Sequence, residues 1–268
     1  MSKKISILGT GWLGLPLGNF LLTKGYKVKG STTSEHKIQQ FLSLGIQPYL
    51  IDISDKAIGE QSEDFFDADI LIITIPPKRD IDKYTMQMES IAKAIESNPI
   101  QHIIYTSSTG VYGASVGLTS ETTPLNPIRD SSKAVIRAEK ILSDLNKNLT
   151  IVRLAGLVGG DRNPARFLAG RQNIPNGNAP VNLVHQEDCV QVITKIIEKD
   201  IWNEIFNVCS DTHPSRNVFY PTQAEKQGLA EPVFSVDNTL SSEYKIVDNQ
   251  KVKRMLDYKF TYSDLLTL

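Results

Sequence analysis

Short apolar runs alternate with amphipathic stretches through the first 155 residues of the chain. The runs lack strict alternation of apolar and polar side chains, which is typical of strands covered on both faces. They predict strands at Ile5–Leu8, Tyr26–Lys29, Pro48–Ile51, Asp69–Thr74, His102–Thr106 and Leu149–Leu154. The stretches between them predict helices at Leu13–Lys24, Glu35–Leu44, Asp80–Ser97 and Ser131–Leu145. Such alternation implies parallel strands joined by right-handed crossovers, so we predict a doubly wound α/β sheet, a Rossmann fold.

The pattern changes after Leu154. Residues 155–181 are rich in Gly, Pro, Asn and Arg and predict an irregular loop region. Beyond it we predict helices at Gln186–Lys199, near Asn217–Gly228 and at Gln250–Leu256, and strands at Glu204–Cys209 and Tyr244–Val247. We therefore expect a main domain of residues 1–155 and a small α+β lid of residues 156–268, which form one structural unit.

The first predicted strand runs directly into glycines with the spacing G-x-G-x-x-G, in "ISILGTGWLGLPLG". Gly9 permits a tight turn, Gly11 lets the backbone approach a pyrophosphate, and Gly14 lets helix and strand pack closely. Free amides and the helix dipole favour the anion. We expect the turn to bind a dinucleotide through Gly9, Thr10, Gly11, Trp12, Leu13 and Gly14. The alternative is a glycine-rich turn without a ligand.

The end of the second strand normally distinguishes NAD from NADP, because an acidic residue there binds the ribose 2′-hydroxyl. In "YKVKGSTTSEHK" no Asp or Glu stands at that end. Glu35 comes later, at capping-box spacing from Thr32, and we interpret it as a helix cap. The 2′-phosphate of NADP would instead meet Ser31, Thr32, Thr33 and Lys37. We predict NADP in preference to NAD.

The glycine motif, "YTSSTGVYG" at 105–113 and "EDCVQVI" at 187–193 together resemble the extended short-chain dehydrogenase/reductase superfamily. The resemblance covers nearly the whole chain and is strongest to the atypical NAD(P)-dependent epimerase/dehydratase branch. It implies that Asp52 meets the adenine. It also implies that Ile75, Pro76 and Pro77 of "TIPP" pass the adenine ribose.

In this superfamily the residue four before the Tyr of the V-Y-G motif binds the substrate oxygen, which implies that role for Ser108 and places Tyr112 in the motif. A turn role for Ser108, and a packing role for Tyr112 instead of a displaced acid, are the alternatives. The superfamily then uses Y-x-x-x-K, with Tyr as acid/base and Lys on the nicotinamide ribose. Here Lys133 has the lysine position, or lies on a solvated helix face, but Arg129 replaces the Tyr. Arg cannot serve as a base, although it could bind an anion or polarise a carbonyl.

Four further positions belong to the predicted lid. Arg162 and Arg166 flank the expected substrate mouth, where they would clamp an anionic substrate or belong to a solvated loop. His185 and Asp188 match the H-x-x-D stretch of the superfamily. We expect both to anchor the lid helix, with a general-base role for His185 as the alternative.

Composition and charge limit the partners, the location and the metal sites that we expect. The 29 Lys and Arg nearly balance the 30 Asp and Glu, so no nucleic-acid or membrane-surface partner is expected. No window approaches an 18-residue apolar span, and we expect a cytoplasmic protein. The cysteines, Cys189 and Cys209, lie in apolar surroundings and predict reduced core residues. The four histidines are scattered, so we predict no metal site.

Together these features predict an NADP-dependent reductase or epimerase-like enzyme for a small polar, sugar-like or anionic substrate, with a non-standard active site. A catalytically inactive dinucleotide sensor or partner-binding protein is the alternative, because the Tyr is missing. A hydroxyacid or imine reductase would need an all-helical C-terminal half, which the strand predicted at Glu204–Cys209 opposes. A homodimer could use helices Asp80–Ser97 and Ser131–Leu145.

Overall fold

The structure, a computed structural model, describes residues 2–53, 62–77, 80–113, 115–235 and 244–268. Its strands are β1 (Lys4–Leu8), β2 (Lys27–Thr32), β3 (Gln47–Leu50), β4 (Ile70–Ile73), β5 (His102–Ser108), β6 (Gly117–Thr119), β7 (Asn148–Leu154), β8 (Gly156–Val158), β9 (Leu183–His185), β10 (Ile205–Val208) and β11 (Lys245–Val247). Its helices are α1 (Gly14–Thr23), α2 (Ile38–Leu44), α3 (Ser62–Phe66), α4 (Ile81–Glu96), α5 (Asp130–Ser143), α6 (Gln186–Glu198), α7 (Arg216–Lys226) and α8 (Gln250–Leu256).

Seven parallel strands form one sheet in the order β10-β7-β5-β4-β1-β2-β3. The chain starts in the middle at β1, moves to one edge through β2 and β3, and returns to β4 beside β1. The order therefore reverses between β1 and β4, and ligands of such sheets bind at the carboxyl ends of the strands at that switch point. The predicted doubly wound α/β Rossmann fold is confirmed.

Both faces of the sheet are covered, as the unbroken apolar runs predict. One face packs its buried side chains against α1, α6 and α8, through residues such as Leu17, Ile193 and Leu256. The other packs against α3, α4 and α5, through residues such as Phe65 and Met88. Strand β4, which is Ile-Leu-Ile-Ile, is fully buried because it lies between these two layers. Burial on both faces explains why its sequence does not alternate.

The predicted strands are present, with small differences at their ends. Strand β2 continues to Thr32, beyond the predicted end at Lys29, because β3 pairs with it as far as Thr32. The sequence pattern missed α3 and the short strands β6, β8 and β9. The predicted loop region 155–181 holds β8 and a 3-10 turn at Pro164–Phe167.

The residues after 155 are joined to the main sheet. Strand β10 pairs with β7 and forms the edge of the seven-stranded sheet. The predicted strand at 204–209 is thereby confirmed, and the all-helical alternative for this part of the chain is wrong. Two parallel pairs, β8 with β9 and β6 with β11, lie outside that sheet. The β6–β11 pair connects the segment after β5 with the C-terminal part of the chain.

Cys189 and Cys209 are free thiols with no exposed surface, as predicted. Burial raises the pKa of both well above the ordinary value, so both are protonated core residues at neutral pH. Among the described residues, no helix combines the length and the apolar character that a bilayer crossing requires.

Candidate functional site

The turn between β1 and α1 has the geometry that its glycines permit. Gly9 has φ +96°, and a Cβ at this residue would lie 3.1 Å from the amide nitrogen of Ile75. A Cβ at Gly14 would lie 2.8 Å from the Gly9 carbonyl oxygen, so Gly14 allows the helix to approach the strand. At Gly11 the nearest atom would be 3.9 Å away. The turn is therefore closely packed at Gly9 and Gly14 and open at Gly11, where an anion could approach.

Backbone hydrogen bonds fix Thr10 and Gly11 in the turn. The Thr10 amide donates to the Ser31 carbonyl at 3.0 Å, and the Gly11 amide donates to the Gly9 carbonyl at 2.7 Å. In the described part of the chain, no backbone carbonyl accepts from the amides of Trp12, Leu13 or Gly14 at the start of α1. Free amides at a helix N-terminus form an anion-binding site.

A cavity of about 270 Å³ lies at the switch point between β1 and β4. It brings together most of the residues predicted to bind the cofactor, namely Gly9, Thr10, Gly11, Ser31, Thr32, Thr33, Lys37, Asp52, Ile75 and Pro76. Trp12, Leu13, Gly14, Pro77 and Lys133 do not line it. Sequence reasoning missed Leu8, Ile51, Ile53 and Gln87, which also line it. The apolar ends of strands gave no signal of a ligand in the sequence.

The end of β2 differs from its predicted role in detail. Ser31 and Thr32 are 3% and 8% exposed. The Ser31 hydroxyl accepts from the Gly9 amide at 2.8 Å, and the Thr32 hydroxyl accepts from the Ser34 amide at 3.1 Å. The predicted capping box of Thr32 and Glu35 is therefore wrong, since Ser34 precedes the 3-10 turn at Glu35–Lys37.

Two groups at this end of the cavity remain available to a ligand. Thr33 is exposed, and Lys37 forms no salt bridge with any described residue. They are the groups best placed to meet a phosphate, because Ser31 and Thr32 are buried.

The turn after β5 holds Ser108. Its hydroxyl oxygen accepts from the Gly110 amide at 3.0 Å, which is the geometry of the turn alternative. The side chain is half-buried, not enclosed, so it reaches the carboxyl edge of the sheet. A Cβ at Gly110 would lie 2.8 Å from the Ser132 hydroxyl and 3.2 Å from that of Ser108. Gly110 thus lets two serines approach the same turn.

Tyr112 has no exposed surface. Its hydroxyl donates to Asn207 Oδ1 at 2.7 Å and accepts from Arg153 at 2.9 Å. Burial raises its pKa, although the hydrogen bond from Arg153 opposes the shift. The interpretation of Tyr112 as a displaced acid does not fit this placement, because a fully bonded core phenol does not reach a substrate. The packing alternative fits.

A buried polar network surrounds Tyr112, and the sequence gave no indication of it. Arg153 forms a salt bridge with Glu139 at 2.7 Å, with side chains 4% and 8% exposed. Glu139 also accepts from the Ser107 hydroxyl at 2.5 Å. The network joins β5, α5, β7 and β10 beneath the turn that carries Ser108, so it fixes the position of that turn.

Arg129 precedes the first residue of α5 and is exposed. Lys133 lies one turn further, with a side chain 50% exposed and a salt bridge to Asp130 at 3.1 Å. This arrangement is that of a solvated helix face. A different lysine reaches the turn: Lys245 in β11 donates to the Thr109 carbonyl at 2.7 Å. Its separation in sequence hid it from motif analysis.

A second cavity, of about 420 Å³, lies between the loop after β8 and the C-terminal segment. Both predicted clamp residues, Arg162 and Arg166, line it together with His185. The Arg162 guanidinium stacks on the Trp12 indole at 4.1 Å, which places this cavity next to the glycine turn. Trp12 was predicted for the cofactor, and its ring instead contacts this loop.

His185 and Asp188 hold the start of α6, as predicted. His185 accepts through Nδ1 from the Glu187 amide at 3.3 Å, and its ring stacks on Tyr262 at 3.6 Å. Burial lowers its pKa. Asp188 is fully buried and accepts from the Tyr258 hydroxyl at 2.6 Å and the Thr261 amide at 2.8 Å. Asp188 therefore ties the C-terminal segment to α6.

No cluster of metal-ligating side chains occurs within the described ranges.

A protein-family model described as NAD(P)H-binding matches residues 9–200, which include the glycine turn, every lining residue of the first cavity except Leu8, and the whole of α6. The chain belongs to this NAD(P)H-binding family. It is also homologous to Protein YeeZ of Escherichia coli strain K12, with 37% identity over 273 residues that cover 99% of this chain and 98% of the relative.

Solved structures share the fold over nearly the whole length. UDP-glucose 4-epimerase from Thermotoga maritima with UDP-glucose has a TM-score of 0.79 at 19% identity, covering 98% of this chain and 96% of that one. UDP-glucuronic acid 4-epimerase from Bacillus cereus with NAD has a TM-score of 0.79 at 19% identity, covering 98% and 95%. A conserved protein from Silicibacter pomeroyi has a TM-score of 0.78 at 24% identity, covering 99% and 96%. The chain therefore has the fold of the NAD-dependent epimerase/dehydratase proteins.

Proposed function

We propose that this protein is an NADP-dependent reductase or epimerase-like enzyme that acts on a small polar or sugar-like substrate carrying an anionic group. The observation that carries the proposal is the cavity at the β1/β4 switch point, where the glycine turn and the ends of β2, β3 and β4 converge. The epimerases of the same fold were solved with UDP-sugars or NAD, which supports a polar substrate of this class.

The residues of the cavity fit a dinucleotide. Leu8, Ile51 and Ile53 are buried apolar residues that would pack against the adenosine. The open space above Gly11 and the free amides of Trp12 and Leu13 would hold the pyrophosphate. When bound, the cofactor supplies the hydride chemistry, and the residues of this chain bind and orient the reactants.

Preference for NADP rests on charge at the end of β2. Lys37 and Thr33 line the cavity without a described ionic partner and would bind a 2′-phosphate. Asp52 lines the same cavity, and we assign it to the adenine. No acidic residue lies at the end of β2 to bind a 2′-hydroxyl or repel that phosphate.

We assign the substrate oxygen to the Ser108 hydroxyl, which can still donate its proton while it accepts from Gly110. Arg129 would polarise that oxygen or bind an anion. Tyr112 has no part in the proposal because it is buried. Lys133 would reach the nicotinamide ribose only by leaving Asp130. The region after residue 155 would bind the substrate through the second cavity, where Arg162 and Arg166 lie.

The first test is cofactor binding, followed by fluorescence of reduced NADPH and NADH. We expect tighter binding of NADPH. The change Gly11→Asp should abolish binding of both, because it adds a carboxylate at the open side of the turn, where a side chain has room and the fold is preserved. Gly11→Ala is the matched variant without a charge and should weaken binding of both less than Gly11→Asp does, because its methyl group only obstructs the approach of the pyrophosphate.

Lys37→Gln tests the choice of cofactor. We expect about a tenfold loss of affinity for NADPH and no change for NADH. A charge-assisted hydrogen bond contributes about 1.5–3 kcal/mol, and the lower value corresponds to about tenfold in affinity. Equal losses for both would contradict the 2′-phosphate assignment. Persistence of bound NADPH across aldehydes, ketones and keto-sugars would favour the inactive-sensor alternative.

The oligomeric state and the cellular location are also part of the proposal. We propose a homodimer through α4 and α5, which sedimentation would detect. We also propose a cytoplasmic location, which suits two buried reduced thiols.

A further inference from the structure

Lys245 contacts the turn after β5 directly. It comes from the C-terminal region, yet its Nζ donates to the Thr109 carbonyl at 2.7 Å, next to Ser108. The side chain is half-buried. One of its three N–H groups is used in this bond, so the other two remain for a further acceptor.

The backbone around Lys245 is held on both sides. Strand β11 pairs with β6, with Lys245 opposite Gly117. The Asn182 side chain donates to the Lys245 carbonyl and accepts from the Val247 amide, both at 2.9 Å. Because ordered elements fix this position, the ammonium group is preorganised and not a mobile surface charge.

The charges around Lys245 are unbalanced. Burial lowers its pKa, and the Arg129 guanidinium lowers it further. Within the described ranges, neither Lys245 nor Arg129 forms a salt bridge, and the nearby Asp130 pairs with Lys133 instead. Arg129 directly precedes α5, and the Ser132 hydroxyl of that helix lies at Gly110 in the same turn. Two cations near one turn without a carboxylate partner repel one another, and partial burial strengthens the repulsion. An anion between them would remove this cost.

We propose that Lys245 and Arg129 together bind the carboxylate or phosphate group of the substrate beside Ser108. The inference rests on the proposed function and deepens it, since it names the two residues that select an anionic substrate. The start of α5 adds its helix dipole, which also favours an anion. Ser108 then holds the neighbouring oxygen of the same substrate.

Calorimetric titration with inorganic phosphate and with oxalate tests the proposal. The full-length protein is saturated with NADP so that phosphate cannot occupy the glycine turn. The Gly11→Asp protein provides a second arm without cofactor. We expect one of the two anions to bind, which separates phosphate from carboxylate. Lys245→Gln keeps a donor for the Thr109 carbonyl and removes the charge, so it should fold and lose about tenfold or more in anion affinity.

Three further variants test whether the anion affinity depends on these two charges. Lys245→Arg should retain most of the affinity, Arg129→Gln should weaken it, and Lys199→Gln on the exposed end of α6 should leave it unchanged. Equal anion affinity in wild type and Lys245→Gln, or binding of neither anion to wild type, would overturn the proposal. NADP affinity is measured in each variant. If NADP fails to bind while the anion result holds in the Gly11→Asp arm, only the proposed function falls.

Discussion

The Ser31 hydroxyl accepts a hydrogen bond from the Gly9 amide at 2.8 Å, and this bond joins the end of β2 to the first residue of the glycine turn. Ser31 lies within the strand because β2 continues past its predicted end. It therefore fixes the position of Gly9 in the turn, and its near-complete burial makes it a poorer candidate for a phosphate ligand than the exposed Thr33. The amide of the next residue, Thr10, donates to the Ser31 carbonyl, so one residue of β2 fixes two of the turn.

Ser31→Ala should destabilise the protein by about 1 kcal/mol, because it leaves the half-buried Gly9 amide without its acceptor. Affinity for NADPH and NADH should fall by the same factor, since the turn itself is loosened. Urea unfolding and cofactor titration measure the two effects. Ser34→Ala is the control, because Ser34 makes no capping hydrogen bond through its side chain. A loss confined to NADPH would show that Ser31 contacts the 2′-phosphate instead.

The buried pair Glu139 and Arg153 gives a second prediction. Glu139→Ala should cost about 3–5 kcal/mol, because it leaves the Arg153 charge buried without its partner. The double variant Glu139→Leu with Arg153→Met should lose less, since no charge stays buried. Denaturant unfolding measures both variants.

The exposed pair Lys140 and Asp144 is the matched control for that network. Both side chains are more than half exposed, so Asp144→Ala should change stability by about 1 kcal/mol or less. A similar cost at the two sites would mean that the buried network contributes no more than a surface pair does.

Features formed by residues close together in the sequence could be predicted, and features formed by residues far apart in the sequence could not. The β1–α1 turn was predictable because G-x-G-x-x-G describes contacts within a few residues of chain. Tyr112 and Lys245 were not, because their settings depend on Arg153, Asn207 and Thr109, which are distant in sequence. A motif gives the position of a side chain on its strand, but its partners come from other strands. The buried role of Tyr112 therefore appeared only in the structure.

His213 gives a prediction on pH. Burial lowers its pKa below the ordinary 6.5, and its buried Nδ1 has no hydrogen-bond partner among the described residues. The folded state thus prefers the neutral ring. Its contribution to stability is fully present above about 6.5 and is lost as the pH falls through the lowered folded-state pKa. A hydrogen bond with the Val181 backbone and the Asp211 charge oppose the shift, and burial also lowers the pKa values of His102 and His185.

The free energy of unfolding measured from pH 8 to pH 4 should therefore fall less steeply on acidification in His213→Gln than in wild type. The exposed His36→Gln provides the control and should leave the profile unchanged. Parallel profiles for wild type and His213→Gln would show that this ring does not resist protonation in the folded protein.

Asp188 holds the C-terminal segment, residues 258–268, against the start of α6. This carboxylate accepts from the Tyr258 hydroxyl and from the amides of Thr261 and Tyr262, so one buried side chain holds the residues that close the second cavity. Asp188→Ala removes all three bonds and should increase amide exchange and proteolysis in 258–268, while β1 and α1 keep their protection. NADPH affinity should stay near normal, because the first cavity does not touch this segment. Glu187→Gln keeps an acceptor for the Tyr262 hydroxyl on the exposed side of the same turn, so it should change neither. Uniform loss of protection throughout the chain would mean that Asp188 supports the whole fold and not the lid alone.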